Sequence, residues 1–288
     1  MNDEPQHPEA GVPRSALGAS RSPSSGGYPA EFVKFLGTAG ARFVVSKQLR
    51  ASGGLWVRLA GQTLAIDPGP GALVKAHASR PKLDPAKLDA VLVSHKHLDH
   101  TNDVNVLIEA MTEGGHRQRG VLLAPTDAID GDSPICEYVL RYVGAVIRIH
   151  EGETYELGDL RVRVAARHDH PDETYGFLLE GGAERVGLVI DTRFHEWLPA
   201  RYAGAELLIV NTVLAENPDR RVYHLAVEDA EAVIREVRPR RAVLTHFGMR
   251  ILQAKPWEIA RAMSDRLAIE VTAAADGMAV EVGTASDE

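Results

Sequence analysis

The stretch "SHKHLDH" at residues 94–100 places three histidines and one aspartate within seven positions. Imidazole and carboxylate groups at this density are ligands that divalent transition metals accept in proteins. The chain has a single cysteine, Cys136, which excludes an internal disulfide framework and a thiolate-rich zinc site. We therefore predict a metal site built from nitrogen and oxygen ligands at this stretch.

Further histidines and carboxylates follow strands later in the chain. "VAARHDHPDETYGF" places His168 and His170 at the end of one strand, "VGLVIDT" places Asp191 after the next, and "AVLTHFG" places His246 after a third. Loops at one edge of a sheet sandwich would bring these side chains to residues 94–100. Seven such ligands are enough for two divalent ions with a coordination position left for a bridging water.

The elements around these residues follow from the apolar pattern. "DAVLVSH" predicts a buried strand that ends at the histidines, and "TNDVNVLIEAM" predicts a helix from about residue 102 to 112. The last third alternates between strands and helices, as in "RAVLTH" followed by "PWEIARAMSDRL". This order predicts an α/β layered fold with sheets inside and helices outside.

Composition limits the class of protein. The 288 residues are 44% hydrophobic and 25% charged, as in an ordinary globular domain, which we place at residues 30–288. Residues 1–29 are rich in Pro, Gly and Ser and are predicted to form a disordered tail.

The net charge of −8 argues against binding nucleic acid by charge alone. Neither a secretory signal nor a membrane-spanning run is evident, so a cytoplasmic location without membrane association is expected.

These motifs together resemble the metallo-β-lactamase superfamily. "LDAVLVSHKHLDH" is similar to its signature strand and loop, and "FLGTAG" and "LAIDPGPG" to the hairpin region before them. "HPDETYGF" resembles the H-x4-[YF]-G-[YF] motif of the ribonuclease Z and phosphodiesterase branch, whose other ligand motifs resemble "IDT" and "LTHFG". The resemblance runs from Phe32 to Val282 and implies a four-layer αββα sandwich.

The resemblance implies a role for each metal-ligand candidate. One metal would be held by His95, His97 and His170, the other by Asp99, His100 and His246, with Asp191 bridging. His168 competes with His170, and the position of "YGF" favours His170. Two divalent ions are implied, with zinc expected and manganese or iron as alternatives. Asp67 is expected to orient the ligand loop.

The implied reaction is hydrolysis, with a metal-bridging hydroxide as nucleophile. Asp99 and His224, in "YHLAVEDA", are the catalytic candidates, and His224 is expected to act as general acid or phosphate-stabilising donor near an ordinary pKa of about 6.5. A simple helix-start position is the alternative for His224.

A phosphodiesterase is the favoured interpretation of the reaction. Acyl hydrolysis of a lactone, thioester or β-lactam, and a non-catalytic metal-binding or regulatory protein, are the alternatives. His170 and Asp191 are only 21 positions apart, which leaves no room for the tRNA-binding arm of ribonuclease Z, and Asn211 stands where that enzyme tends to have a carboxylate. We therefore expect a small-molecule or short-oligonucleotide substrate, such as a cyclic nucleotide, and no extended nucleic-acid surface. A homodimer is left open.

Overall fold

The computed structural model describes residues 28–283 of the chain. The predicted N-terminal tail therefore lies outside the described residues except for its last two positions. Of these, Tyr28 stacks its ring on Phe32 with the centroids 4.6 Å apart, so the packed domain includes residue 28.

Two seven-stranded sheets form the centre of the fold. The first contains β1 (Phe32–Phe35), β2 (Leu55–Leu59), β3 (Gln62–Ile66), β4 (Ala90–Leu92), β5 (Val121–Ala124), β6 (Ala145–Arg148) and β14 (Ala279–Glu281). Its order is β14-β1-β2-β3-β4-β5-β6. The second contains β7 (Thr154–Leu157), β8 (Leu160–Arg167), β9 (Tyr175–Glu180), β10 (Val186–Val189), β11 (Leu207–Asn211), β12 (Arg241–Thr245) and β13 (Glu270–Ala273). Its order is β13-β12-β11-β10-β9-β8-β7.

Helices cover the outer face of each sheet. The helices of the described chain are α1 (Ala41–Ser46), α2 (Ala72–Ala78), α3 (Leu98–Thr101), α4 (Val104–Met111), α5 (Thr126–Ile129), α6 (Glu137–Leu140), α7 (Val227–Val237), α8 (Met249–Gln253) and α9 (Pro256–Leu267). On the first sheet, α4 packs on β4 beside α2 and α6, and on the second, α7 and α9 pack on β11 and β13. No helix among residues 28–283 is long and apolar enough to cross a membrane.

The buried apolar side chains form three layers. One lies between the sheets and includes Phe35, Leu64, Phe177 and Ile209. The other two lie between each sheet and its own helices. The predicted four-layer αββα sandwich is confirmed, and it places the parallel strands where both faces are buried, as their continuous apolar runs require.

Strand direction brings the candidate ligands to one edge. Strands β10, β11 and β12 are parallel to one another, and β8 runs in the same direction because it is antiparallel to β9, which is antiparallel to β10. Their carboxyl ends therefore meet at the same edge of the second sheet. In the first sheet β3 and β4 are also parallel, so Asp67 and the 94–100 stretch emerge side by side.

The helix after the 94–100 stretch differs from the sequence prediction. In place of one helix over residues 102–112, α3 begins at Leu98 inside the ligand stretch and α4 begins at Val104. Asp103 explains the break, because its backbone N–H donates to the carbonyl of Pro68 and its side chain accepts from the backbone N–H of Leu73. The interruption ties the ligand loop to the turn after β3.

Candidate metal centre

Three overlapping groups of ligand atoms lie at the shared strand edge. In each group, one atom from every residue lies within 4.8 Å of the others. The groups are His95, His97 and His170; Asp99, His100 and His246; and His95, His100 and Asp191. The first two match the two ligand sets that the resemblance implied, and the third connects them through Asp191.

The first group directs three ring nitrogens at one another. His95 Nε2 lies 3.1 Å from His97 Nδ1, and His170 Nε2 lies 3.2 Å from the same atom. A single proton can satisfy at most one pair of these nitrogens, whereas a cation can accept all three lone pairs. The arrangement therefore suits a metal ion.

Hydrogen bonds fix the other nitrogen of each ring. His97 Nε2 lies 2.8 Å from Asp172 Oδ2, and His170 Nδ1 lies 3.0 Å from the carbonyl oxygen of Tyr223. Because both partners accept hydrogen bonds, the ring protons sit on these outer nitrogens. The lone pairs of the inner nitrogens are then free for a metal, which is how protein histidines usually bind one.

Asp67 and Ser94 impose the same orientation on two further rings. Ser94 Oγ donates its one proton to Asp67 Oδ2 at 2.6 Å. In its 2.9 Å contact with His95 Nδ1 the hydroxyl oxygen must therefore be the acceptor and His95 the donor. Asp67 Oδ2 also accepts from His100 Nδ1 at 2.9 Å, and Asp67 Oδ1 accepts from the Ser94 backbone N–H at 2.7 Å. Asp67 thus lies where a residue that orients the ligand loop is needed.

The second group leaves two buried nitrogens without partners. His100 Nε2 and His246 Nε2 have no hydrogen bond, although both atoms are buried. Asp99 Oδ2 lies 3.6 Å from each of them. Buried polar atoms are normally satisfied in proteins, so this convergence of two lone nitrogens and a carboxylate fits a cation.

Asp191 lies between the two groups. Its Oδ2 is 3.5 Å from His100 Nε2 and 3.4 Å from His246 Nε2, while Oδ1 accepts a hydrogen bond of 2.9 Å from Asn211 Nδ2. Asn211 is buried, and its neutral amide leaves the full charge of Asp191 available to the site. Burial opposes that charge, but His246, His224 and His100 outweigh it and hold the pKa of Asp191 well below its ordinary value.

The raised pKa of His100 shows that the carboxylates favour positive charge at the centre. Burial lowers the pKa of His95 well below its ordinary value, and the nearby His100 lowers it further. Burial works against the charge of His100 too, but Asp99 and then Asp67 outweigh it and raise the pKa of His100 well above its ordinary value. A metal ion would meet the same demand by displacing that proton.

Two close backbone contacts hold the loops together. A Cβ at Gly40 would overlap the carbonyl oxygen of His246, and a Cβ at Gly69 would overlap the carbonyl oxygen of Asp99. Only glycine fits such approaches. His246 and Asp67 have φ values of +60° and +50°, a conformation that non-glycine residues adopt mainly where the surrounding structure requires it.

The structure separates His168 from His170. His168 is buried, and its Nε2 lies 2.7 Å from the hydroxyl oxygen of Tyr202. It belongs to none of the three ligand groups in the described chain, whereas His170 lies with His95 and His97. Burial lowers the pKa of His168 to about 4, so this ring is a neutral partner of Tyr202 at pH 7.

His224 lies beside the centre. Its Nδ1 is 3.6 Å from Asp191 Oδ2, and its ring centroid is 5.2 Å from that of His170. Burial lowers the pKa of His224 to about 4, which differs from the ordinary pKa expected from the sequence. The sequence could not reveal this burial. A neutral imidazole can still donate a hydrogen bond to charge that develops on a substrate.

A cleft of about 950 Å³ opens over these residues. His97, Asp99, His170, Asp191 and His224 are among the residues that line it. The rest of its wall comes mainly from α1, the start of α8 and the segment between β11 and α7. This volume is in the usual range for small-molecule sites.

The comparisons with known proteins agree with this geometry. Residues 62–247, which span β3 to the ligand candidate His246, match the family model described as the β-lactamase superfamily domain. The chain belongs to the β-lactamase superfamily. That membership supports a metal-dependent hydrolase and confirms the resemblance inferred from the motifs.

Several relatives within the superfamily can be aligned with the chain. The uncharacterized protein MJ1374 of Methanocaldococcus jannaschii is 29% identical over 257 residues, which are 87% of this chain and 94% of that protein. Ribonuclease Z of Methanopyrus kandleri is 32% identical over 145 residues, which are 50% of this chain and 48% of that protein. The metallo-β-lactamase fold protein YhfI of Bacillus subtilis has a similar structure, with a TM-score of 0.69, 20% identity, and coverage of 88% of this chain and 99% of that one.

The sequence analysis did not identify several residues that contact the ligand candidates. Asp172, Ser94 and the carbonyl of Tyr223 each bond a candidate ligand ring. Ser94 and Asp172 lie within or next to the motifs, so their positions were available as a signal. The contact from Tyr223 depends on the path of the segment between β11 and α7, for which the sequence carries no pattern.

Proposed function

We propose that the protein is a hydrolase of small phosphodiesters that works with two divalent metal ions. The observation that carries this proposal is the convergence of two ligand groups, joined by Asp191, on the floor of one cleft. Such a pair of ions supplies a nucleophile at neutral pH and stabilises the oxygens of the transition state. The similarity to a ribonuclease Z, over half of this chain, favours a phosphodiester over an acyl substrate.

The residues of this chain would hold and orient the reacting groups. His95, His97 and His170 would bind one ion, Asp99, His100 and His246 the other, and Asp191 both. Zinc suits this set of imidazole and carboxylate ligands, and manganese and iron accept it as well. Asp67, Ser94 and Asp172 would keep the histidine rings in the required tautomers through the hydrogen bonds described above.

His224 would act on the substrate. Its Nδ1 lies 3.6 Å from Asp191 Oδ2 and makes no hydrogen bond, so the single proton of the neutral ring is not held on Nδ1. With that proton on Nε2, the ring would donate from the cleft wall to a substrate oxygen. In phosphodiester hydrolysis negative charge builds on the leaving oxygen, and a hydrogen bond from a positioned imidazole stabilises it. The shift of the His224 pKa to about 4 favours donation by the neutral ring over proton transfer from an imidazolium.

The short connection between β9 and β10 supports a small substrate. These strands form an antiparallel hairpin between His170 and Asp191, and the connection holds only residues 181–185. An arm that grips a large RNA would have to be inserted there. We therefore propose a cyclic nucleotide or short oligonucleotide as substrate.

Turnover of bis(p-nitrophenyl) phosphate by the zinc- or manganese-loaded protein tests this proposal. We expect hydrolysis that a chelator abolishes and added metal restores. A lactone and thioester panel, measured with the same preparation, provides the comparison. Faster turnover of a lactone or thioester, with no turnover of the phosphodiester, would make the protein an acyl hydrolase. No turnover of any substrate at full metal occupancy would leave a binding or regulatory protein.

A further inference from the structure

The wall of the cleft exposes apolar side chains to solvent. Among residues 28–283, nine large hydrophobic side chains are exposed, and three of them line this one cleft. They are Phe43, Leu98 and Val222, which are 69%, 66% and 46% exposed. Clusters of exposed apolar side chains in a concave surface are typical of ligand-binding grooves.

Two of these side chains come from segments of the chain that also carry or contact the metal-ligand candidates. Leu98 lies in α3 between the candidate ligands His97 and Asp99, and α3 contacts α1, which carries Phe43. Val222 lies in the segment between β11 and α7, next to Tyr223, whose carbonyl accepts a hydrogen bond from the ring of His170. A ligand with its phosphate at the metals would therefore place its neighbouring group against this apolar wall.

Positive charge lies at the same cleft. Arg42 precedes Phe43 in α1, and Arg250 lies in α8; both side chains are exposed and line the cleft. Within the described chain, no acidic side chain forms an ion pair with either of them. Arg221 also lines the cleft, with Asp219 at 3.1 Å as its partner. Apart from the metal-ligand candidates, Glu216 is the one acidic residue in the described wall.

We propose that this cleft selects a phosphodiester that carries a flat aromatic ring, such as a nucleobase, and a second anionic group, such as a terminal phosphate. The ring contacts Phe43, Leu98 and Val222, and the second anion binds Arg42 and Arg250. An exposed aromatic face is a suitable platform for a flat ring, and guanidinium groups bind phosphate through paired hydrogen bonds. This inference rests on the proposed function and specifies its substrate class.

Three phosphodiesters with the same leaving group separate these contributions. They are methyl p-nitrophenyl phosphate, thymidine 5′-(p-nitrophenyl phosphate) and its 3′-phosphorylated form. Because each releases p-nitrophenolate, differences in kcat/KM report on binding of the remaining group. We expect kcat/KM to rise roughly tenfold when the nucleoside is added, and roughly tenfold again when the 3′-phosphate is added.

Variants assign each step to its residues. Phe43→Ala should remove most of the preference for thymidine over methyl, and Arg42→Gln with Arg250→Gln most of the preference for the 3′-phosphate. The matched controls are Val74→Ala, at a residue 69% exposed in α2, and Arg261→Gln, at an exposed residue of α9. Neither control residue lines the cleft, and both variants should retain the wild-type ratios.

Two results would overturn the inference, and they can be told apart. If the wild-type protein hydrolyses all three esters at equal kcat/KM, or if the cleft variants keep the wild-type ratios, the substrate class is wrong while the phosphodiesterase stands. If the metal-loaded protein hydrolyses none of the three, the proposed function fails and this inference fails with it.

Discussion

His97 and Asp172 form a carboxylate–imidazole pair in which Nε2 lies 2.8 Å from Oδ2. The other oxygen of Asp172 lies 3.2 Å from Lys96 Nζ. Burial opposes the charge of Asp172, but Lys96 and His97 outweigh it and lower its pKa, so the carboxylate is ionised at neutral pH. The pair fixes the ring proton on Nε2 and directs the Nδ1 lone pair of His97 at the proposed metal.

Asp172→Asn should weaken metal binding without removing a ligand. Loss of a carboxylate behind a ligating histidine typically costs ten- to a hundredfold in metal affinity. Competition with a chromophoric chelator measures the metal affinity of each site. We expect the affinity to fall only at the site that contains His97. Asp159→Asn, at an exposed turn, is the control. Equal metal affinities in the two variants would show that Asp172 does not support metal binding.

His170→Ala and His168→Ala should have different effects. The first removes a ring that lies 3.2 Å from His97 Nδ1, so we expect loss of metal at that site. The second removes the partner of the Tyr202 hydroxyl, so the metal content should stay intact while the free energy of unfolding falls by about 1–3 kcal/mol. Elemental analysis and chemical denaturation measure the two quantities. The reverse pattern would show that the roles of these histidines are exchanged.

His224→Ala should keep both metals and lose turnover. Removing a positioned donor to a developing oxyanion typically costs about a hundred- to a thousandfold in kcat. The loss should be smaller for p-nitrophenyl esters than for alkyl esters, because a good leaving group needs less stabilisation. Unchanged kcat on an alkyl ester would show that His224 has no catalytic role and only occupies a position before α7. Loss of metal would make it an additional ligand.

Glu231 should make stability depend on pH independently of the metal centre. It accepts a hydrogen bond of 2.6 Å from Arg266 of α9, which joins α7 to α9, and one of 2.7 Å from Arg235 of its own helix. The bond from Arg266 is the main cause of its lowered pKa. A carboxyl whose pKa is lower in the folded state stabilises above its unfolded pKa, about 4.3, and loses that contribution as pH falls through the folded pKa.

Glu231→Gln should therefore reduce the free energy of unfolding at pH 7 by about 1 kcal/mol. The difference from wild type should shrink as pH falls below the unfolded pKa of about 4.3, and it should be lost below the lowered folded pKa, where Glu231 is protonated in both states. Urea denaturation at several pH values measures it. Glu236→Gln, at an exposed residue of the same helix, is the control. A difference from wild type that is constant between pH 3 and 7 would contradict this role.

The sequence predicted the strands and all seven metal-ligand candidates because both leave local patterns. Buried parallel strands read as short apolar runs, and the predicted helix "PWEIARAMSDRL" coincides with α9. The sequence did not predict α1 and α8, since these are short helices whose formation depends on packing beside the cleft. The arginines and Phe43 of the cleft were missed for that reason.

Contacts between distant segments were also inaccessible from the sequence. The hydrogen bond from His170 to the carbonyl of Tyr223 joins residues 53 positions apart. The burial of His224 and the interrupted helix at Asp103 likewise depend on which loops meet. Residue types could indicate a metal site, but the proton position on each ring depends on partners that only the folded chain brings together.

The number of metal ions bound per chain decides whether these residues form a two-metal centre. Elemental analysis of the zinc-reconstituted, dialysed protein should give two ions per chain for the wild type. His97→Ala should retain about one, because its ring nitrogen is the point on which His95 and His170 converge. A wild-type chain that binds no metal, or a His97→Ala chain that still binds two ions, would contradict the assignment of this centre.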